Sequence, residues 1–206
     1  MRAIYATLDW ITKLAYLNIL WMFFTVLGLI VFGLFPATAA TFAVVRRWVI
    51  GETDIPVFKT FWKVYKKEFF KSNLLGYILL VIGLILYIDI RIFNTSSNSF
   101  VNLLAIPAVG MMIILILTSL YVFPTFVHYE IKLIQVFKNA FLIMAINPLP
   151  TITMLIGLTG VGFVFMKLQG FIPIFSGSIM TFVITMPAVR AFQKMESKKE
   201  VYTENN

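Results

Sequence analysis

Residues 101–123 read VNLLAIPAVGMMIILILTSLYVF and carry no charged side chain. At 1.5 Å per residue, such a segment forms a helix of about 35 Å, which is enough to cross a hydrocarbon layer about 30 Å thick. Comparable apolar segments lie at residues 14–35, 74–92, 151–166 and 171–189. None of them alternates polar and apolar residues like a barrel strand, so helices are what satisfies their backbone hydrogen bonds in lipid. The sequence therefore predicts an all-α, polytopic transmembrane helical bundle of about five spans, with residues 1–206 as a single domain.

The composition agrees with this class and removes several kinds of chemistry. Hydrophobic residues make up 60% of the chain and its mean hydropathy is +0.92, above the range of soluble proteins. The chain has no cysteine, which excludes disulfides, thiolate metal sites and thiol catalysis. It also lacks a glycine-rich phosphate loop, an HExxH motif and a Ser/His/Asp set. We therefore predict a protein that is not an enzyme, with no catalytic residues, no cofactor and no metal site.

The net charge of +8 is distributed as membrane topology requires. Seven basic residues lie between positions 46 and 71, two more within 127–141, and four in the tail 190–206. Cytoplasmic loops of membrane proteins carry such an excess of lysine and arginine, which anionic headgroups attract. The sequence predicts a multi-pass protein of a bacterial plasma membrane whose basic connectors and C-terminus are cytoplasmic. Lipid headgroups are then the expected partner of these charges, and nucleic acid is not.

The N-terminal part of the chain allows two arrangements. In the one we favour, a long first helix is kinked at Pro36 and emerges at Arg46, which places the N-terminus outside the cell. In the other, the chain turns at Pro36 and crosses again through residues 37–48, which gives six spans with both termini in the cytoplasm. The second arrangement adds Arg2 and Lys13 to the cytoplasmic charges. However, residues 37–48 would form only about 18 Å of helix, which is too short to cross the membrane.

Residues 56–71 have the pattern of an amphipathic helix at the membrane surface. Five aromatic side chains recur at spacings of three and four, and five lysines occupy the other face. Such a helix lies in the interfacial plane, with its rings among acyl chains and its ammonium groups among phosphates. The pattern predicts an anchoring element or, alternatively, a docking surface for a partner. The residues that we assign to this surface are Phe58, Lys59, Trp62, Lys63, Lys66 and Lys67.

Three polar residues are candidates for a position inside the membrane. A second amphipathic helix is expected over residues 127–141, with His128 in its polar stripe. An imidazole titrates near neutral pH, so proton sensing is an alternative to a simple surface position for His128. Asp89 and Arg91 lie near the outer end of the second span, where they can reach water. If they face the bundle interior instead, they mark an ion or substrate path.

Three prolines are predicted to kink helices near the cytoplasmic ends of spans: Pro36, Pro124 and Pro187. Each stands in a similar string, Phe-Pro-Ala, Phe-Pro-Thr or Met-Pro-Ala, and each is followed by a basic residue. Duplication of a unit made of a span, a proline and an amphipathic helix would explain these strings.

The strings LNILW at 17–21 and GLFPATAA at 33–40, followed by Arg46, resemble the YesL family of bacterial integral membrane proteins. Length and span layout agree over nearly the whole chain. The resemblance implies a domain of unknown function without an established activity, so it assigns no catalytic or binding residues. Such proteins are often encoded near genes for carbohydrate uptake and polysaccharide breakdown, which implies an accessory role in sugar transport or sensing.

The hypothesis drawn from the sequence is a non-enzymatic accessory or scaffold protein that binds a carbohydrate transporter or sensor in the membrane. The alternative is a small permease or channel subunit with a path between the proline-kinked spans. The centre of the bundle separates the two. A polar cavity lined by four residues would favour transport, whereas a dry, packed centre would favour a scaffold. The four residues are Asn18, Thr118, Ser119 and Ser178.

Overall fold

The computed structural model describes the backbone of residues 2–204 and the side chains of Tyr5 and of residues 7–197. Its helices are α1 (Arg2–Leu27), α2 (Leu34–Val49), α3 (Val57–Lys67), α4 (Phe69–Thr95), α5 (Ser99–Leu103), α6 (Ala105–His128), α7 (Leu133–Ile146), α8 (Pro148–Lys167) and α9 (Ile172–Glu204). No residue of 2–204 is in a β-strand, and the all-α prediction is confirmed.

Five helical segments of the described chain are long and apolar enough to cross a membrane. They are Thr7–Leu27, Phe69–Thr95, Ser99–His128, Pro148–Lys167 and Gln169–Ser197. Most of each segment's surface remains uncovered by protein, as expected for helices whose outer faces contact lipid. The chain is therefore a membrane-spanning helical bundle.

The first apolar segment is a helical hairpin, so the prediction of one long helix over 14–35 is wrong. Helix α1 ends at Leu27, the chain reverses through residues 28–33, and α2 runs back alongside α1. The Trp21 Nε1 atom donates to Thr38 Oγ1 at 3.1 Å across the hairpin. The predicted kink at Pro36 is also wrong, because Pro36 lies in the first turn of α2, where its missing N–H breaks no helical hydrogen bond.

The turn of this hairpin consists of apolar residues and depends on two glycines. Leu29 and Ile30 adopt left-handed conformations, with φ of 57° and 64°. The Ile30 N–H donates to the Thr25 carbonyl at 2.8 Å, which closes the end of α1. Gly28 and Gly33 meet backbone to backbone, so neither position has room for a side chain. The turn thus reverses the chain without the polar residues that usually mark a reversal.

Because of the hairpin, the start of α1 lies at the same end of the bundle as the basic connector. The rings of Trp10 and Trp48 pack edge to face, with centroids 5.8 Å apart. The Lys13 ammonium lies 3.9 Å from the Asp54 carboxylate, in the connector that follows α2. The N-terminal half of α1 is therefore beside the basic connector, and the favoured prediction that placed them on opposite sides is wrong. The alternative with both on one side is correct in direction, although the chain turns at residues 28–33 and not at Pro36.

Helix α2 lies at the centre of the bundle, in contact with α1, α3, α6 and α9. Nine of its sixteen residues are buried, so it is not a surface helix. Three alanines with no exposed area, Ala37, Ala39 and Ala40, let the neighbouring helices approach closely. Phe123 of α6 stacks on Phe42 at 5.9 Å between ring centroids, next to Pro124 within the same helix.

The remaining long helices are antiparallel pairs. Helices α4 and α6 pack together and are joined through residues 96–104, and α8 and α9 pack together through residues 168–171. The C-terminal ends of α2, α6 and α9 meet at one end of the bundle, away from the connectors 96–104 and 168–171. Helix α3 also lies at this end. Pro124 and Pro187 are inside α6 and α9. Most of the lysines and arginines of the chain are at this end, which we call the basic end.

Candidate functional site

Helix α3 covers the basic end and turns two of its four aromatic residues, Phe61 and Tyr65, inward. Phe61 has no exposed area, and Tyr65 is buried with its hydroxyl donating to the Phe24 carbonyl at 3.2 Å. These rings pack against α1, so they are not available to insert among acyl chains. The predicted helix over 56–71 is also interrupted at Glu68, because α4 begins at Phe69 and leaves the surface from there.

The opposite side of α3 is an open surface of mixed apolar and basic character. All six residues assigned to docking line one shallow depression of about 580 Å³. Phe58 is 47% exposed, and the Lys66 ammonium lies 4.8 Å from the centroid of the Trp62 ring. That distance is typical of a cation–π contact, which holds Lys66 over the indole. We call this surface, formed by Phe58, Lys59, Trp62, Lys63, Lys66 and Lys67, the α3 surface.

Next to the α3 surface, and sharing Lys59, Lys63 and Lys67 with it, lies a larger cavity, which we call the basic cavity. It has a volume of about 1000 Å³ and is bounded by α2, α3, the start of α4 and the connector 129–133. Six basic side chains line it from the first three elements, and Lys132 lines it from the connector. The six are Arg46, Arg47, Lys59, Lys63, Lys67 and Lys71. Two carboxylates, of Glu68 and Glu130, also lie on its wall.

Arg46 is fixed at the edge of this cavity by a chain of hydrogen bonds that joins three helices. Its Nε donates to His128 Nδ1 at 2.9 Å, and His128 Nε2 lies 3.2 Å from the Glu196 carboxylate. Because a guanidinium can only donate, Nδ1 must be the acceptor, so the proton of the imidazole is on Nε2. His128 is therefore neutral in this arrangement and donates to Glu196. Tyr129 donates to the same carboxylate oxygen at 3.3 Å.

The surroundings shift the pKa values of Arg46 and Tyr129 in opposite directions. Burial lowers the pKa of Arg46 from its ordinary value of 12.5, and the nearby Glu52 opposes this effect. Burial, helped by the negative charge of Glu196, raises the pKa of Tyr129 to about 12. Tyr129 consequently remains a hydrogen-bond donor throughout the physiological pH range.

The helix predicted over 127–141 has the wrong bounds, because only residues 133–141 of that range belong to α7. Helix α6 ends at His128, residues 129–132 are not helical, and α7 begins at Leu133. His128 thus belongs to a different helix from the polar residues grouped with it. The carboxylate closest in sequence, Glu130, bonds to Lys67 at 3.1 Å instead. The imidazole pairs with Glu196, which is 68 residues away in the chain.

Asp89 and Arg91 are not brought together with His128. Both lie in the last two turns of α4, far along that helix from the basic end. Asp89 is half-buried and Arg91 is exposed, next to the polar residues that end the helix. The three candidate intramembrane residues therefore do not form a common site.

Asn18 joins α1 to α9 through its side-chain amide. Its Nδ2 donates to the Pro173 carbonyl at 2.8 Å, and its Oδ1 accepts from the Gly177 N–H at 2.8 Å. A regular helix bonds these two backbone groups to each other, so the amide occupies the ladder of α9. Asn18 and Ser178 both have no exposed area. They are packed into a helix–helix contact and do not line a lumen.

Thr118 and Ser119, the other two residues expected to line a polar cavity in a transporter, also do not share a polar space with Asn18. Thr118 is buried, and the Ser119 hydroxyl donates to the Ile116 carbonyl of its own helix at 2.7 Å. The sequence alone does not predict the hydrogen bonds that Arg46, Glu196 and Asn18 make. The signal for Asn18 was available, since it is the one side-chain amide in the apolar segment 14–35.

Comparisons with known proteins give one consistent result. The family described as "Protein of unknown function, DUF624" matches residues 14–90. Uncharacterized protein YesL of Bacillus subtilis (strain 168) is 38% identical over 192 residues, which is 93% of this chain and 90% of that protein. YteU of the same organism is 43% identical over 84% of this chain and 78% of its own length, and YesV is 39% identical over 95% and 94%. All three are described as uncharacterized. No solved structure matches the chain significantly.

Proposed function

The chain belongs to the DUF624 family of proteins of unknown function, and on that premise we propose that it is a non-enzymatic accessory protein of the plasma membrane. It binds a carbohydrate transporter or sensor in the same membrane through the α3 surface. The basic end, with the N-terminal half of α1 and the C-terminal ends of α2, α6 and α9, faces the cytoplasm in this proposal.

The observation that carries the proposal is that one side of α3 is buried against the bundle while the other side is exposed. Phe61 and Tyr65 fix the helix to the bundle, and this packing supplies its attachment. Trp62 is partly buried, with its ring 5.2 Å from that of Phe24, whereas Phe58 and Lys66 beside it are exposed. Aromatic residues are enriched where proteins bind other proteins.

The centre of the bundle supports an accessory role over the permease alternative. Asn18 and Ser178, which a transport path would expose, are completely buried in the contact between α1 and α9. The carbohydrate class of the partner rests on the gene neighbourhood that the family resemblance implies. Positive charge at the basic end gives the cytoplasmic orientation, since lysine and arginine are enriched on that side of membranes.

A photo-crosslinking experiment tests the proposal. A photoreactive phenylalanine analogue at Phe58 is expected to form an adduct with a membrane subunit of a carbohydrate transporter or sensor in native membranes. The matched control carries the same analogue at Ile134, which is 78% exposed on α7. The proposal is contradicted if the Phe58 probe yields only lipid adducts, or if both positions yield the same protein adducts in equal amounts.

Reversing one charge on the α3 surface is expected to weaken this contact. Lys66→Glu replaces a cation held over Trp62 by an anion, and we expect about fivefold or more loss of the adduct formed at Phe58. Lys138→Glu, at an exposed lysine of α7, makes the same change of charge elsewhere and should leave the adduct unchanged. Quantitative mass spectrometry of both variants measures the difference. Equal yields from the two variants would show that the partner does not contact the α3 surface.

A further inference from the structure

We propose that the basic cavity is a binding site for a phosphate-bearing anion at the cytoplasmic end of the bundle. The proposal goes beyond the docking role: Lys59, Lys63 and Lys67 line both the α3 surface and the cavity, but the other three residues of the α3 surface do not line the cavity. Its volume of about 1000 Å³ is at the upper end of small-molecule sites and exceeds what a bare phosphate needs. It suits a phosphate carried on an organic group.

The cavity holds more positive charge than its own carboxylates can neutralise. Seven cationic side chains face Glu68 and Glu130, which leaves an excess of five positive charges. Both carboxylates are already occupied: Lys67 lies 3.1 Å from Glu130 and 3.6 Å from Glu68, and Lys71 lies 3.9 Å from Glu68. Within residues 7–197, no carboxylate lies within 4.0 Å of three other lysines of the cavity. These are Lys59, Lys63 and Lys132.

Such a concentration of like charge is costly without an anion, since each ammonium raises the potential at its neighbours. A phosphate group accepts several charge-assisted hydrogen bonds at once and is the ligand that clustered lysine and arginine prefer. The N-terminal end of α7 also borders the cavity at Lys132 and Leu133, and the free N–H groups there favour negative charge.

Arg46 shows that the wall is arranged in advance of a ligand. The guanidinium is half-buried, and its Nε is committed to His128, so the group is held in one position at the cavity edge. Glu196 fixes the imidazole in turn. A pre-positioned arginine lowers the entropic cost of binding, because the side chain has little freedom left to lose.

Binding of pyrophosphate by the full-length protein tests the site. The protein is placed in nanodiscs of phosphatidylcholine alone, and the dissociation constant for inorganic pyrophosphate is measured by calorimetry at constant ionic strength. Neutralising two of the three unpaired lysines, in Lys63→Gln/Lys132→Gln, is expected to weaken binding about tenfold or more. The matched control Lys66→Gln/Lys138→Gln removes two exposed lysines outside the cavity and should change the constant less than about twofold.

A second arm distinguishes a soluble anion from a lipid headgroup. Nanodiscs that contain phosphatidylglycerol are expected to raise the unfolding temperature if the ligand is a headgroup, by mass action on the folded state. Loss of either response in Lys63→Gln/Lys132→Gln, but not in the control, supports the site. Which response is lost shows whether the bound phosphate belongs to a soluble anion or to a lipid headgroup. Absence of both responses, or equal responses in the two variants, overturns it. Lys63 belongs to both the α3 surface and the cavity, so the single variant Lys132→Gln, which leaves the α3 surface intact, distinguishes failure here from failure of the docking role.

Discussion

Substituting alanine for Gly33 is expected to destabilise the first hairpin strongly. A Cβ atom at this position would run into the backbone carbonyl oxygens of Phe24 and Thr25 and lie 2.9 Å from the Gly28 Cα. Backbone atoms cannot move aside as a flexible side chain can, so the turn has to open. Overpacking of this kind costs about 3 kcal/mol, which corresponds to a fall of about 6–12 °C in the unfolding temperature.

Gly160→Ala is the matched control for this substitution. Gly160 lies inside α8, and no atom is within 4 Å of a Cβ built there. Alanine should leave the unfolding temperature unchanged or raise it slightly, since it favours helix by about 1 kcal/mol over glycine. Fluorescence-detected gel filtration after heating in detergent measures both variants. If Gly33→Ala is as stable as the wild-type protein, the two helices do not meet as closely as the hairpin requires.

Replacing Asn18 with aspartate is expected to have the second large effect. Aspartate has the same shape and keeps the acceptor for the Gly177 N–H, but it turns the donor toward Pro173 into a second oxygen. Two oxygens then face each other in a completely buried place, and the carboxylate has no cation to pair with among its hydrogen-bond neighbours. Leaving buried polar groups in this state costs about 3 kcal/mol.

Asn18→Leu removes the hydrogen bonds without adding a charge, and we expect a smaller loss of about 2 kcal/mol. The Pro173 carbonyl and Gly177 N–H can then bond to each other within α9, which recovers part of the energy. Asn94→Asp, at an exposed position near the end of α4, is the matched control for the added charge. The order of stability should be wild type and control first, then leucine, then aspartate. Leucine at wild-type stability would mean that the amide does not hold α1 to α9.

The helical class of the fold is readable from the sequence because lipid leaves the backbone few choices. Segments such as 101–123 must satisfy their own hydrogen bonds, and their length alone indicates a crossing. The two faces of α3 are equally visible, since lysines and aromatic residues separate at helical spacing. Which aromatic residues are inside could not be predicted, because burial of Phe61 and Tyr65 depends on where α1 lies.

The hairpin was missed because its turn uses none of the usual polar residues. The string GLIVFG at 28–33 is as hydrophobic as the helices on either side, and two of its apolar residues carry the left-handed conformation. The spacing of Gly28 and Gly33 was the only local signal. Without that turn, the sequence pattern favours a kink at Pro36 and separates the start of α1 from the basic connector, beside which it lies.

The network at the basic end could not be predicted from local pattern at all. Arg46 and His128 are 82 residues apart, and each is polar in a way that a surface position explains equally well. Only the packing of α2 between α6 and α9 brings them together with Glu196. The basic cavity depends on the same packing, since its lysines come from three separate elements.

Single-cysteine labelling tests most directly the claim that the chain is a membrane bundle with a folded-back N-terminal hairpin. The natural chain has no cysteine, so each introduced thiol reports alone. Tyr5→Cys, Asp54→Cys and Ser97→Cys are all at exposed positions and are treated with a membrane-impermeant thiol reagent. We expect Tyr5→Cys and Asp54→Cys to react only in inverted vesicles, and Ser97→Cys only in intact protoplasts. Reaction of Tyr5→Cys together with Ser97→Cys would show that the first segment crosses once without folding back, and would contradict the structure described above.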